Sequence, residues 1–237
     1  MRTLKRKIRV DAETSVSSVW TVPDTYDPAR DSGVVLAHGA GNDMHSPFLG
    51  TVHNGLARNG MLAVRFNFPY TEQGRRAPDR APVLEATWRA VVQAVRDDPK
   101  LAPRQLFLGG KSMGGRMASH VAASGEACSG LVFLGYPLHP PGRTDKLRAE
   151  HLARIPVPML FIEGTRDPFC ELDLLQRVLK PLGVPVEVHV IEGGDHSFRV
   201  PKSLQRPERE VLNEVVDVVA VWVTRQSRTG RRPRRRA

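Results

Sequence analysis

Six short apolar runs constrain the fold of this chain more than any other feature; they lie at 33–37, 61–66, 105–109, 130–134, 158–162 and 185–191. Most place apolar residues at successive positions rather than alternate ones. A strand carries that pattern when both of its faces are covered, as in a parallel sheet flanked by helices. Helical spacing fills intervals between the runs. Leu84, Trp88, Val91, Val92 and Val95 share one helix face, and so do Val211, Leu212, Val215, Val219 and Trp222. At the front, 2–10 and 15–22 read as two strands joined by Asp11-Ala12-Glu13-Thr14, a link so short that they must pair antiparallel. The expectation is an α/β fold with a mostly parallel sheet of about eight strands and helices on both faces. The 237 residues suit one domain that buries its core without disulfides or metal. That domain is placed at 1–226, ahead of an Arg-rich tail at 227–237.

Charge needs a closer reading. Lys and Arg number 35 against 25 Asp and Glu, a formal net of +10. Taken alone, that balance points to nucleic acid or an anionic membrane. The excess sits at the two ends, however. Arg2, Lys5, Arg6, Lys7 and Arg9 open the chain, and Arg225, Arg228, Arg231, Arg232, Arg234, Arg235 and Arg236 close it, with no acid in either stretch. Residues 11–224 keep 23 basic against 25 acidic side chains, a net of −2. The first cluster alternates with Ile8 and Val10, as on the wet face of an edge strand, where Lys and Arg deter unwanted pairing. The second has no apolar partner and reads as disordered; it is the one place that would hold a nucleic acid. Cys128 and Cys170 make neither a disulfide framework nor a zinc motif, so a reducing, cytoplasmic setting is expected. No apolar leader precedes Val10, and no apolar run approaches the roughly 20 residues that span a bilayer.

Gly110-Lys111-Ser112-Met113-Gly114 fits the pattern G-x-S-x-G. Five positions with three fixed are a weak signal, but their placement is specific. The motif leaves the strand 105–109 and opens a helical stretch, 115–123, which is the setting of a nucleophile elbow. Such a turn projects the serine hydroxyl, and glycine is required where side chains would collide across it. A serine hydroxyl needs a base to take its proton. After Ser112 come His120, His139, His151, His189 and His196. His120 lies in the elbow helix and His189 within a strand. His196 lies past the last strand, in the loop Gly193-Gly194-Asp195-His196-Ser197-Phe198. The chain order of elbow hydrolases is serine, acid, histidine, and His139, the main competitor, precedes the acid. Asp167 leaves the strand 158–162 at the matching place; its other reading is a cap for a helix starting near Cys170 or Glu171. Glu163 lies too near the strand, and Asp195 cannot orient the ring of its own neighbour. Backbone amides must face the developing oxyanion. Met113 supplies one, and Ala40, with Gly41 as the alternative, the second, from His38-Gly39-Ala40-Gly41-Asn42-Asp43. His38 itself reads as a hydrogen-bonder that fixes this loop.

These residues carry a resemblance. The chain resembles α/β-hydrolases of the dienelactone-hydrolase-like kind. It is most similar to the small family that includes testis-expressed protein 30 and the hydrolase-like region of a nonspecific-lethal complex subunit. The matching blocks are His38-Gly39-Ala40-Gly41, Arg65-Phe66-Asn67-Phe68-Pro69-Tyr70, 110–119, Phe133-Leu134-Gly135-Tyr136-Pro137-Leu138-His139-Pro140-Pro141-Gly142, 164–169 and Gly194-Asp195-His196-Ser197. The resemblance implies the α/β-hydrolase fold, with Ser112, Asp167 and His196 on the triad positions. Dienelactone hydrolases proper use a cysteine where this chain has Ser112, so their substrate does not carry over.

The stretch 135–156 holds Pro137, Pro140, Pro141 and Pro156. It has room for one short helix, 145–153, and no lid, so an open site with minimal or no cap is expected. Phe68, Tyr70, Tyr136, Leu138 and Phe198 lie on loops at strand C-terminal ends, where open α/β sheets bind ligands, and are taken as substrate-binding candidates. Arg75, Arg76 and Arg80, in the loop 67–81, are either exposed pairs or an anchor for a substrate carboxylate. The function expected is a serine hydrolase acting on an ester, thioester or related acyl bond of a small molecule. No metal or organic cofactor is implied. The alternative is a non-catalytic interaction module that keeps the fold.

Overall fold

The computed structural model describes residues 1–229. Eight strands form one sheet: β1 (Arg2–Arg9), β2 (Ser15–Val22), β3 (Ser32–Ala37), β4 (Leu62–Phe66), β5 (Gln105–Lys111), β6 (Gly130–Leu134), β7 (Met159–Gly164) and β8 (Val186–Ile191). Their order across the sheet is β1-β2-β4-β3-β5-β6-β7-β8. The β1–β2 and β2–β4 pairs are antiparallel and all the others parallel. Every residue of β3, β6 and β7 is buried, which is why those runs do not alternate. β1 is the edge strand, and its charged residues are mostly exposed.

Two helices cover one face: α1 (Pro47–Arg58) and α6 (Glu208–Thr229). They bury Leu49, Val52, Leu56, Val215, Val219 and Trp222 against the sheet. The other face takes α3 (Ala81–Arg96), α4 (Met113–Ala123) and α5 (Leu172–Leu179). Leu84, Trp88, Val91, Met117, Val121 and Leu175 fill that layer. A single turn, α2 (Pro69–Glu72), follows β4. Among the described residues no helix is long and apolar enough to cross a membrane.

Three expectations change. The helix placed at 145–153 is instead a run of turns followed by a 3-10 helix, Glu150–Arg154. Tertiary bonds take the backbone groups that an α-helix would need: the Arg148 N–H donates to the Leu138 carbonyl at 2.8 Å, and the Arg148 carbonyl accepts from the Tyr136 hydroxyl at 2.7 Å. α6 runs to Thr229, so 227–229 belong to the helix; the remainder of the proposed tail lies outside the described residues. Helix α1 has no counterpart in the sequence reading.

The chain moves from β3 to β4 in one direction across the sheet and from β5 to β8 in the other. At such a reversal the loops leaving neighbouring strands diverge and open a crevice at the strand C-terminal ends. Here those ends are Ala37 and Lys111, directly ahead of the His38 loop and Ser112.

Candidate active site

Ser112 sits between β5 and α4 with φ 50° and ψ −116°, a backbone state that costs a non-glycine residue about 1–3 kcal/mol. The surroundings enforce it. A Cβ on Gly110 would lie 2.3 Å from the Ala37 carbonyl oxygen, and one on Gly114 would lie 2.5 Å from the same atom. Only glycines let β3 and its loop pass this close to the elbow. The Ser112 N–H donates to the Leu134 carbonyl at 3.1 Å, which ties the turn to β6.

His196 reaches the serine from the loop after β8. The Ser112 hydroxyl and His196 Nε2 are 2.8 Å apart, and His196 Nδ1 is 2.6 Å from Asp167 Oδ2. A carboxylate only accepts, so the Nδ1 proton points at Asp167 and Nε2 is left to accept from the serine. The Asp167 side chain is fully buried, whereas the His196 ring is 20% exposed. Asp167 Oδ1 also accepts the Phe169 N–H at 2.8 Å, and the Phe169 ring lies against the imidazole, centroids 4.4 Å apart. Asp167 does not cap α5; that position belongs to Glu171. Asp195 holds the histidine loop from within, its Oδ1 accepting the Ser197 and Arg199 amides at 2.8 and 2.9 Å.

Glu163, on β7, lies next to this row and is entirely buried. One oxygen accepts the Tyr136 N–H at 2.6 Å and the other has no partner. Burial, with Asp167 nearby, pushes its carboxyl well above the usual range.

The loop after β3 completes the site. The His38 Nδ1–H donates to the Gly39 carbonyl at 2.9 Å, and Nε2 accepts the Phe68 N–H at 3.2 Å. Burial keeps this imidazole neutral by lowering its pKa. His38 therefore fixes the loop, as its sequence position suggests. Asn67 holds the far end, its carbonyl oxygen accepting the Met44 N–H at 2.8 Å. Ala40 and Met113 both border an open cleft of about 430 Å³ at Ser112 and His196.

A sequence model of the family described as alpha/beta hydrolase domain matches residues 30–224. The chain belongs to that family. Solved α/β-hydrolase structures share its fold. A dienelactone hydrolase from Anabaena variabilis ATCC 29413 is 19% identical with a TM-score of 0.76, over 94% of this chain and 97% of the other. An alpha-beta serine hydrolase homologue from Coxiella burnetii is 18% identical with a TM-score of 0.71, over 92% and 96%. A serine hydrolase without lid from Xanthomonas campestris is also 18% identical, with a TM-score of 0.70, over 96% and 94%. At these identities the likeness concerns the fold.

In this α/β-hydrolase the five substrate-binding candidates take other places. Phe68, Tyr70, Tyr136, Leu138 and Phe198 are all at or below 2% exposure, and none borders the cleft. They buttress the loops from beneath. Phe68 packs edge-on against His38, Tyr136 against Phe133 and Phe161, and Phe198 stacks on Phe48. With little structure above the sheet, turning inward is the only way such rings can be buried. The apolar wall of the cleft comes instead from Pro78, Leu84, Met117, Pro137 and Phe169. Arg75 pairs with Asp79 at 2.5 Å, and neither Arg76 nor Arg80 borders the cleft. Three basic residues do line it: Lys111, whose Nζ is buried, Arg116 and Arg148. The last two were not singled out in the sequence, although Arg116 stands one helical turn beyond Ser112 and so on its side of α4.

Proposed function

We propose that the protein is a serine hydrolase that cleaves an ester, thioester or related acyl bond of a small molecule. The observation that carries this reading is the unbroken hydrogen-bonded row from Ser112 through His196 to a buried Asp167. Ser112 Oγ attacks the carbonyl carbon while His196 Nε2 takes its proton, and Asp167 stabilises the imidazolium through Nδ1–H. The amides of Met113 and Ala40 receive the negative charge that develops on the carbonyl oxygen; losing one such donor costs about 3–4 kcal/mol of barrier lowering. Collapse of the tetrahedral adduct expels the alcohol or thiol, which leaves with the proton from His196. Water then gives a proton to the same nitrogen as it attacks the acyl-serine. The acid departs, and Ser112 regains its proton.

Several features support the reading. The strained serine backbone projects the hydroxyl. A neighbour described as a lid-less serine hydrolase shares the open architecture. Within the family, the blocks around 38–41, 65–70 and 133–142 support a likeness to the group that includes testis-expressed protein 30. Unpaired Cys128 and Cys170 fit a reducing, cytoplasmic setting. A fluorophosphonate probe tests the assignment. It should label the wild-type chain and leave Ser112→Ala unlabelled, with loss of 4-nitrophenyl acetate turnover in the same variant. Equal labelling of both chains would reject Ser112 as the nucleophile.

A further inference from the structure

Two guanidinium groups stand in the cleft with no acid answering them. Arg116 projects from α4 one turn after Ser112, and its Nε is buried without a hydrogen-bond partner. Arg148 enters from the 135–156 excursion, where both its backbone groups are bonded, to Leu138 and to the Tyr136 hydroxyl, so its side chain springs from a fixed base. The two are close enough for Arg148 to add to the effect of burial in lowering the pKa of Arg116. Neither is part of an ion pair among the described residues. Glu85, an acid near Arg116, is engaged by His120 at 2.9 Å and Arg89 at 3.8 Å. Asp79 is the one carboxylate that borders the cleft, and it is held by Arg75 and by the Tyr70 N–H. Arg116 and Arg148 thus face a cleft whose one bordering carboxylate among the described residues is already neutralised.

We propose that the substrate brings the missing anion: a carboxylate, carried in addition to the scissile acyl bond, that Arg116 and Arg148 hold while Ser112 attacks. This deepens the serine-hydrolase reading and rests on it. A buried donor without an acceptor is costly to maintain, and a planar carboxylate matches the fork of a guanidinium with two parallel bonds. The partner must come from the ligand because the protein supplies none here.

Two matched ester pairs test the proposal. Mono-4-nitrophenyl adipate and 4-nitrophenyl hexanoate differ by a carboxylate on the acyl side. 4-Acetoxybenzoate and its methyl ester differ by one on the leaving group. In at least one pair, kcat/KM should favour the charged member tenfold or more at low ionic strength. Arg116→Gln and Arg148→Gln should each move that ratio toward one; a ratio cancels any general loss of activity. Arg148 lies in a surface excursion, so its variant remains informative if Arg116→Gln fails to fold. Ratios at or below one in both pairs, or a preference untouched by both substitutions, would overturn the proposal. If no ester were turned over by the wild-type chain, the hydrolase reading would fail on its own. Calorimetric binding to the Ser112→Ala chain would then decide the anion site: tenfold tighter binding of the adipate ester than of the hexanoate ester is expected, and equal binding of the two overturns it.

Discussion

Lys111 should make the protein less stable than it would be without it, and the deficit should vanish at high pH. The side chain ends β5, and its Nζ is buried, without a hydrogen-bond partner, 5.6 Å from the centroid of the Phe198 ring. Burial lowers its pKa from 10.5 to about 8, against the pull of Asp167, Glu163 and Asp195. The unfolded chain keeps this proton up to about pH 10.5, whereas the folded chain releases it near pH 8. Between those values the unfolded state binds more protons, so stability rises with pH. Below pH 8 both states are charged and the fold bears the whole penalty, roughly 3 kcal/mol at about 1.4 kcal/mol per pH unit. Methionine has a similar shape and no charge. Lys111→Met is expected to be about 2–3 kcal/mol more stable than wild type at pH 7, with the gap closing steadily between pH 8 and 10.5. Guanidinium unfolding at unit pH steps from 7 to 10 reads this directly, since the difference between the two chains removes every other titrating group. A gap that ignores pH, or a variant less stable at pH 7, would refute the reasoning. A buried charge that weakens the fold beside the proposed nucleophile belongs with the perturbed groups that cluster at functional sites.

Three further substitutions read the site and its frame. Ser112→Gly should be more stable than Ser112→Ala by about 1 kcal/mol, because glycine relieves the positive φ and gives back part of the gain in chain entropy; that is about 3 °C in melting temperature, and an alanine variant as stable as the glycine one would contradict the strain. Gly114→Ala should lose about 3 kcal/mol, since its Cβ would lie 2.5 Å from the Ala37 carbonyl and 2.6 Å from that of His38; a melting temperature within a degree of wild type would show that β3 yields freely. His53 is buried against Thr21, with Nε2 2.8 Å from the hydroxyl, and burial lowers its pKa to about 3. Its neutral ring stabilises the fold above the unfolded value of 6.5, and that contribution drains away as pH falls toward 3. His53→Gln should flatten the fall in unfolding midpoint between pH 6.5 and 4, and an unchanged slope would exclude His53 as its source.

What could be read from the sequence divides along physical lines. The strands were legible because burial on both faces writes itself as consecutive apolar residues, as in Val34-Val35-Leu36-Ala37. The elbow was legible because its glycines are imposed by backbone contacts that no other residue permits. Helix α1 was not, because Leu49, Val52 and Leu56 are diluted by Gly50 and Gly55. The second of these is there for packing: a Cβ would lie 2.4 Å from Val216 of α6, a contact 161 positions away. Loop aromatics were misread for a related reason. Position at a strand end gives the level of a residue in the fold, while the direction of its ring depends on what lies above the sheet. Arg116 could have been found from its spacing to Ser112. Arg148 could not, since tertiary bonds carry it to the cleft.

Net charge, the most conspicuous bulk property of the chain, turns out to say least about recognition. Part of the terminal excess is neutralised within the fold: Arg6 pairs with Asp98, Lys7 with Glu72 and Arg225 with Glu187. The Lys7 pair even reaches toward the site. Glu72, despite burial, is held at a pKa of about 2 by Lys7, Asn67 and Ser17, and Asn67 in turn holds the loop that carries Ala40. Residues 11–224 sum to −2, yet the cleft they build is cationic. A sum over surface pairs that screen one another carries no information about a low-dielectric crevice, where a few unpaired groups set the field. Among the described residues, Arg116 and Arg148 are the basic side chains whose charge a ligand entering the cleft would meet. On the proposed reading, the charge that bears on substrate choice lies near the middle of the sequence, within the stretch whose net charge is closest to zero.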